Sequence, residues 1–242
     1  MAKILEVKNL DKVYGEKIKN QVLYDLNLEF EESSFNAIIG QSGSGKSTLM
    51  NIIGTLDKPT SGEVIIDGKD TSDLSKDELA ILRNETIGFI FQFHHLLPEF
   101  TVLENILMPY RIKHNKITDE ALERAEYLID MVGLSKVKDN KSTEISGGQQ
   151  QRAAIARSLI NDPKIILGDE PTGNLDSETA ETVFELMREI NKELKTTFIL
   201  ITHDQKVAQE TDRIIEIKDD GTIIDRLSSY GEYLEKEYGM KD

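Results

Sequence analysis

The stretch Gly40-Gln41-Ser42-Gly43-Ser44-Gly45-Lys46-Ser47 fits the pattern G-x-x-x-x-G-K-[ST] and stands between an apolar run and a helix-forming segment. Its glycines let the backbone turn back on itself and aim N–H groups inward, so a polyphosphate is wrapped by main-chain donors at a helix N-terminus. Lys46 is placed to reach the β- and γ-phosphates. Ser47 offers a hydroxyl to Mg²⁺, and Thr48 steadies the same first turn. Phe35-Asn36-Ala37-Ile38-Ile39 supplies the buried strand such a loop needs, and Leu49-Met50-Asn51-Ile52-Ile53 the helix. A Gly-Ser linker with a chance Lys-Ser pair would have neither, so the chain reads as one that binds a nucleoside triphosphate.

Two further segments narrow the chemistry. Ile165-Ile166-Leu167-Gly168 is a short apolar run ending in Asp169-Glu170-Pro171, the pattern of a central strand whose carboxyl tip presents acids to phosphates. Asp169 is the candidate Mg²⁺ partner, and Glu170 is placed to polarise a water attacking the γ-phosphate. In Ile145-Ser146-Gly147-Gly148-Gln149, Ser146 caps a helix beginning at the glycines, whose N–H groups and positive dipole end make a second anion site. Taken singly, two acids at a turn are commonly a solvated strand end, and Ser-Gly-Gly a loop; beside a phosphate loop they carry more.

In this order the three elements resemble the ATP-binding-cassette (ABC) ATPases, where the last is the signature motif written LSGGQ. Ile145 stands where the family has Leu, a volume-conserving change that costs little. The resemblance spans nearly the whole chain and implies further roles. Tyr14 would stack on adenine. Gln92, after Phe89-Ile90-Phe91, would touch Mg²⁺ and the attacking water. Asp176, in Asn174-Leu175-Asp176, would be the D-loop acid, and His203, after Phe198-Ile199-Leu200-Ile201-Thr202, would contact the γ-phosphate. Catalytic roles thus fall on Glu170, His203 and Gln92, and Mg²⁺ contacts on Ser47, Gln92 and Asp169. ATP contacts fall on Tyr14, Gly40 through Thr48, Ser146, Gly147, Gly148, Gln149 and Asp176. The resemblance also implies a head-to-tail homodimer, in which Ser146, Gly147 and Gly148 of one chain complete the γ-phosphate site of the other.

At 242 residues the chain accommodates one α/β domain with a helical insertion, and is too short for two cassettes. No apolar stretch nears the ~20 residues that cross a bilayer, and Met1-Ala2-Lys3-Ile4-Leu5-Glu6 lacks a secretory h-region. The expectation is a protein peripheral to the cytoplasmic face of the inner (plasma) membrane, touching it only through partner subunits. Without cysteine there is no disulfide and no thiolate metal site. A formal net charge of −15 argues against nucleic acid or anionic lipid as the main partner.

The expected fold is α/β, a P-loop ABC-type nucleotide-binding domain with an antiparallel β subdomain and an inserted α-helical subdomain. Residues 1–92 and 162–242 would form the core with the β portion, and 93–161 the helical part. Alternation from about Ile4 to Phe30 suggests antiparallel strands around Tyr14. Pro59-Thr60-Ser61-Gly62 and Asp67-Gly68 read as turns. Ser75-Lys76-Asp77-Glu78 and Thr101-Val102-Leu103-Glu104 read as capping boxes. Ile117 to Val132 places Leu122, Ala125, Leu128, Ile129 and Val132 on one helical face. Ser229-Tyr230-Gly231-Glu232 would cap a final helix through Glu237.

Within the family, the strings Phe91-Gln92-Phe93-His94-His95-Leu96-Leu97-Pro98-Glu99-Phe100-Thr101 and Asp169-Glu170-Pro171-Thr172-Gly173-Asn174-Leu175-Asp176 resemble the lipoprotein-releasing LolD ATPases and their MacB-type macrolide-exporter relatives. The second string is shared with the cell-division ATPase FtsE. The first is an apolar, aromatic stretch beside the nucleotide-sensing glutamine, where a membrane subunit's helix would seat unless Phe93, Leu96 and Leu97 pack inward. The resemblance implies an ATPase that drives separate integral membrane permease subunits in lipoprotein release or export of amphiphilic cargo. An FtsE-like mechanical regulator of a cell-wall or division complex is the alternative. Neither a second cassette nor a long coiled coil is present, which disfavours a role in translation or DNA repair.

Overall fold

The computed structural model describes residues 2–15, 18–218 and 221–232. Two long strands, β1 (Lys3–Tyr14) and β2 (Asn20–Glu31), lead into β3 (Phe35–Ile39) and helix α1 (Lys46–Ile53). After β4 (Ser61–Ile66) and the short β5 (Lys69–Asp70) come α2 (Lys76–Thr86) and β6 (Ile87–Phe91). Helices α3 (Val102–Lys113), α4 (Asp119–Met131) and α5 (Gly147–Leu159) follow in succession. The chain then alternates through β7 (Ile165–Asp169), α6 (Ser177–Leu194), β8 (Thr197–Ile201), α7 (Gln205–Gln209), β9 (Arg213–Ile217) and β10 (Ile223–Leu227).

Among the described residues the strands form two sheets, and the α/β class expected from sequence is the one observed. One sheet is antiparallel, in the order β2-β1-β4-β5; the other runs β10-β9-β3-β8-β7-β6 and is parallel except at β9–β10. In the antiparallel sheet the polar and apolar positions of β1 and β2 interleave, with Leu5, Val7, Leu10, Leu26, Leu28 and Phe30 buried. β3 and β8 are instead buried at every position, as strands of a parallel sheet covered on both faces must be. Phe35 of β3 stacks on Phe198 of β8 at 5.0 Å and meets Phe184 of α6 edge-on at 5.5 Å, fixing α6 against the sheet.

Caps set the helix starts. Ser75 with Glu78 and Thr101 with Glu104 form reciprocal capping boxes. Asp67 and Gly68, with φ of 51° and 72°, make the two-residue turn between β4 and β5. Two expectations need correction. Helix α4 buries Ala121, Ala125, Leu128 and Ile129 and leaves Leu122 38 % exposed. At ~100° per residue, Leu122 lies at the margin of the stripe that Ala121 and Ala125 centre. The last helical turn is capped by Ser228, not by the segment from Ser229: Ser228 Oγ accepts from the Gly231 N–H at 2.9 Å, while Ser229 bonds to Gln209 Oε1. The continuation to Glu237 lies outside the described residues.

Strand register positions the site. Phe91 pairs with Asp169, Asp169 with Ile201, and Ile201 with Ile38. Gly40, Gln92, Glu170 and Thr202-His203 therefore leave the sheet at one edge, outside the carboxyl ends of parallel strands.

Candidate functional site

The loop from β3 to α1 takes φ values of 155°, 91° and 93° at Gly40, Gly43 and Gly45. A side chain at Gly45 would come within 2.7 Å of Leu23 and 2.9 Å of the Val22 carbonyl, so only glycine lets the loop lie against β2. No side chain caps α1, whose N-cap is Gly45 itself, which leaves first-turn N–H groups to an anionic ligand. Gln41, Ser42 and Ser47 are exposed, Ser44 is buried and Thr48 is half-buried. Lys46 Nζ donates to the carbonyls of Gly40 at 2.8 Å and Gln41 at 2.6 Å, which bends its ammonium back over the loop.

At the tip of β7 the chain passes Asp169 and takes a left-handed conformation at Glu170, φ 48°, immediately before Pro171. A non-glycine residue preceding proline avoids this region, so the backbone is strained there. Bonds from Glu170 N–H to Ile201 O at 2.9 Å and from Gly173 N–H to Glu170 O at 3.0 Å hold it in place. The turn aims the carboxylate at His203, whose Nδ1 lies 2.8 Å from Glu170 Oε1. That hydrogen bond, together with the Glu170 charge, raises the His203 pKa. Burial and the neighbouring Glu170 push Asp169 up, and Lys46 offsets part of the rise. Across the turn, Gln92 Nε2 donates to Asn174 Oδ1 at 3.0 Å and Asn174 Nδ2 returns a bond to Gln92 O at 3.1 Å. Gly173 lies beneath this pair, where a Cβ would stand 3.0 Å from Gln92 Nε2 and 3.4 Å from Glu170 Cβ. Gln92, Glu170, Asn174 and His203 thus form one cluster, with the charges of Asp169 and Lys46 acting on it.

The Ser146–Gln149 segment forms the start of α5. Ser146 Oγ accepts from Gln149 N–H at 3.3 Å, and Gln149 Oε1 accepts from Ser146 N–H at 2.9 Å. Ile145 is buried as the apolar anchor. A Cβ at Gly147 would meet nothing within 4 Å, whereas one at Gly148 would stand 2.6 Å from Thr179 Cγ2 of α6. Asp176 sets that methyl in place: it caps α6, accepting from Thr179 N–H at 3.0 Å and from Thr179 Oγ1 at 2.8 Å. Asp176 is therefore joined to Gly148 through Thr179 rather than to the Glu170 cluster.

The family model described as ABC transporter matches residues 23–173. The chain belongs to the ABC transporter family. The cassette is 48 % identical over 222 residues, 90 % of this chain and 98 % of the relative, to the lipoprotein-releasing system ATP-binding protein LolD 1 of Rhodopseudomonas palustris. It is 47 % identical over 219 residues, 90 % of this chain and 91 % of the relative, to LolD of Xylella fastidiosa. Among solved structures, the dimeric ATP-binding cassette MJ0796 in a post-hydrolysis state with ADP and Pi superposes with a TM-score of 0.82 at 43 % identity, over 92 % of this chain and 98 % of that one. The cbiO1 protein of Clostridium perfringens, part of the ABC transporter complex cbiONQ, gives 0.85 at 29 % identity over 98 % and 93 %. The cassette is thus an ATPase of a family that couples ATP hydrolysis to transport.

Tyr14 of the cassette ends β1, and its hydroxyl donates to Asp57 Oδ2 at 2.8 Å. Lys12 Nζ lies 2.8 Å from the same oxygen and 4.7 Å over the Tyr14 ring, so a cation covers one face of the aromatic. Burial pushes Asp57 up, but hydrogen bonds from Lys12 and Tyr14 outweigh it and leave the carboxyl below its usual range.

Sequence reasoning missed Gln151 and Arg157 of α5. Gln151 is fully buried; its Nε2 donates to Pro171 O at 2.5 Å and Phe91 O at 3.3 Å, and its Oε1 accepts from His94 Nδ1. Arg157 donates to His95 O at 2.7 Å and His94 O at 2.8 Å. The available signal was a glutamine on the same stripe as the buried Ile155 and Leu159, four and eight residues on. Beyond Gln92 the apolar stretch divides: Phe93 is 65 % exposed and Leu97 40 %, while Leu96 packs on the main core.

Proposed function

We propose that the cassette hydrolyses ATP at the edge built by Lys46, Gln92, Glu170 and His203, and that two copies paired head to tail drive separate membrane permease subunits. The observation that carries this reading is the Glu170–His203 pair, 2.8 Å apart, at the carboxyl edge of the sheet that also presents the uncapped phosphate loop. Loop amides hold the triphosphate, and Lys46 exchanges its loop carbonyls for phosphate oxygens. Glu170 orients the attacking water and takes its proton, His203 meets the γ-phosphate, and Gln92, braced by Asn174, contacts the water from the other side. Tyr14 stacks on adenine with the ring face that Lys12 leaves uncovered. Asp176 acts through the α6 cap on the signature segment.

Ser47, Asp169 and Gln92 are hard oxygen donors that suit Mg²⁺, which completes its shell with water and phosphate. The fit is clearest at Asp169, whose carboxylate is disfavoured by burial and by Glu170 and gains from a nearby cation. Bound there, the ion would neutralise charge on the β- and γ-oxygens. The open surroundings of Gly147 favour Ser146, Gly147, Gly148 and Gln149 serving a second copy. Support for pairing comes from MJ0796, which was solved as a dimer.

The names of the LolD relatives favour lipoprotein release, or export of other amphiphilic cargo, as the work driven. Exposed Phe93 and Leu97, beside Gln92, offer the seat for a permease helix. Among the described residues no helix is long and apolar enough to cross a membrane. We place the cassette peripherally at the cytoplasmic face of the inner membrane, held by those subunits, with residues 93–161 as the helical part and 1–92 and 162–242 as the core. Mixing a Ser146→Arg chain with a Lys46→Ala chain tests the pairing, because only the mixed dimer has one intact composite site. Recovery of ATPase activity on mixing is expected; inactivity at every ratio overturns the head-to-tail reading.

A further inference from the structure

We infer that Gln151 is a positioning residue that ties the signature segment, which serves the partner copy's nucleotide, to the acids of its own chain. The inference rests on the head-to-tail reading. Its basis is the placement of one buried amide. The carbonyls of Pro171 and Phe91 can only accept, so Gln151 must turn Nε2 toward both, at 2.5 and 3.3 Å. Oε1 then faces His94, whose Nδ1 must carry the proton it donates. Pro171 directly follows Glu170, and Phe91 directly precedes Gln92. One side chain therefore grips the backbone beside two residues assigned to hydrolysis, from a helix whose first turn carries Ser146, Gly147 and Gly148.

The bonds divide into two kinds. Those to Phe91 and His94, with the Arg157 bonds to His94 and His95, hang the segment after β6 on α5. The bond to Pro171 joins α5 to the exit of β7, where Glu170 sits in its strained turn. A helix is stiff over one turn, so a shift of the Glu170 turn is passed through this amide to Ser146, and a partner's grip on Ser146 is passed back. Removing the amide would take this donor from the buried Pro171 carbonyl and let α5 slide relative to the acids.

The test uses Gln151→Met, which keeps length and volume and removes every polar atom. Its kcat should fall roughly ten- to hundred-fold while KM for ATP stays within about two-fold. In a Glu170→Gln background, size-exclusion chromatography in Mg-ATP reads dimer formation directly. Glu170→Gln alone should dimerise, and the Gln151→Met double variant should need on the order of ten-fold more ATP to do so. His94→Ala, which spares both carbonyl bonds, should shift kcat in the same direction by less, and keeps the inference testable should the Met variant not fold. If Glu170→Gln dimerises, and either change leaves both the ATP dependence in that background and kcat in the otherwise unchanged protein unmoved, the inference fails while the pairing stands. If Glu170→Gln itself stays monomeric at saturating Mg-ATP, the pairing fails and the inference with it.

Discussion

His203 Nδ1 and Glu170 Oε1 lie 2.8 Å apart, so two side chains 33 positions apart in sequence hold each other directly across the ends of β7 and β8. The hydrogen bond that His203 donates to this carboxylate, and next the carboxylate's charge, raise His203 above the ordinary imidazole value of 6.5, with burial opposing. Such a group contributes stability fully below its unfolded pKa and loses it as pH rises through the higher folded value. The His203 side chain is 75 % exposed, so screening keeps that contribution small. An NMR titration of the His203 ring should show a midpoint above 6.5 that falls back toward it in Glu170→Gln. An unchanged midpoint would remove Glu170 as the cause.

Glu170→Gln should also separate binding from chemistry. The amide keeps the size of the side chain and removes the proposed base, so phosphate release should drop about 10²- to 10⁴-fold. ATP affinity by calorimetry should stay close to that of the unchanged protein. A variant that still turns over ATP within a factor of a few would move the base elsewhere.

Asp57 is a lever on Tyr14. Asp57→Ala removes both the acceptor of the Tyr14 hydroxyl and the counter-ion of Lys12, so the ring loses its fixed orientation. ATP affinity should weaken by about 0.5–1.5 kcal/mol, the worth of an aromatic stack. Binding of inorganic tripolyphosphate, which has no base, should not change. Equal losses for both ligands would mean that Asp57 acts on the phosphate loop instead.

Neighbouring glycines at the start of α5 should respond differently. Gly147→Ala adds a methyl where nothing lies within 4 Å, so the melting temperature should hold or rise slightly while ATPase activity falls through obstruction of the partner's phosphate. Gly148→Ala drives its methyl to 2.6 Å from Thr179 Cγ2 and should destabilise the fold by roughly 1–3 kcal/mol. Paired thermal melts and ATPase assays distinguish the two. A melting temperature lowered equally by both would refute the contrast.

Much of this was readable from residue order, because local chemistry dictated it. The phosphate loop needs glycines at fixed offsets, Ser75, Thr101 and Ser146 announce helix starts by their spacing to an acid or glutamine, and uninterrupted apolar runs mark the buried strands. Distant pairings were not readable. Nothing near Tyr14 points to Asp57, and nothing near His203 points to Glu170; those contacts exist only once strand register has brought the ends together. Leu122 misled because it is as apolar as its neighbours and lies just off the buried stripe. Gln151 gives only a weak signal, its place on the Ile155 and Leu159 stripe, because a glutamine on a helix is ordinarily solvated; its partners appear only in the fold.

The left-handed backbone at Glu170 makes the acid we propose as the hydrolytic base a liability for folding. Glycine adopts that conformation without steric penalty, so Glu170→Gly would relieve strain while deleting the proposed base. A mutant library screened for heat resistance alone should therefore enrich inert cassettes at this position, and robustness would be gained by giving up the engine.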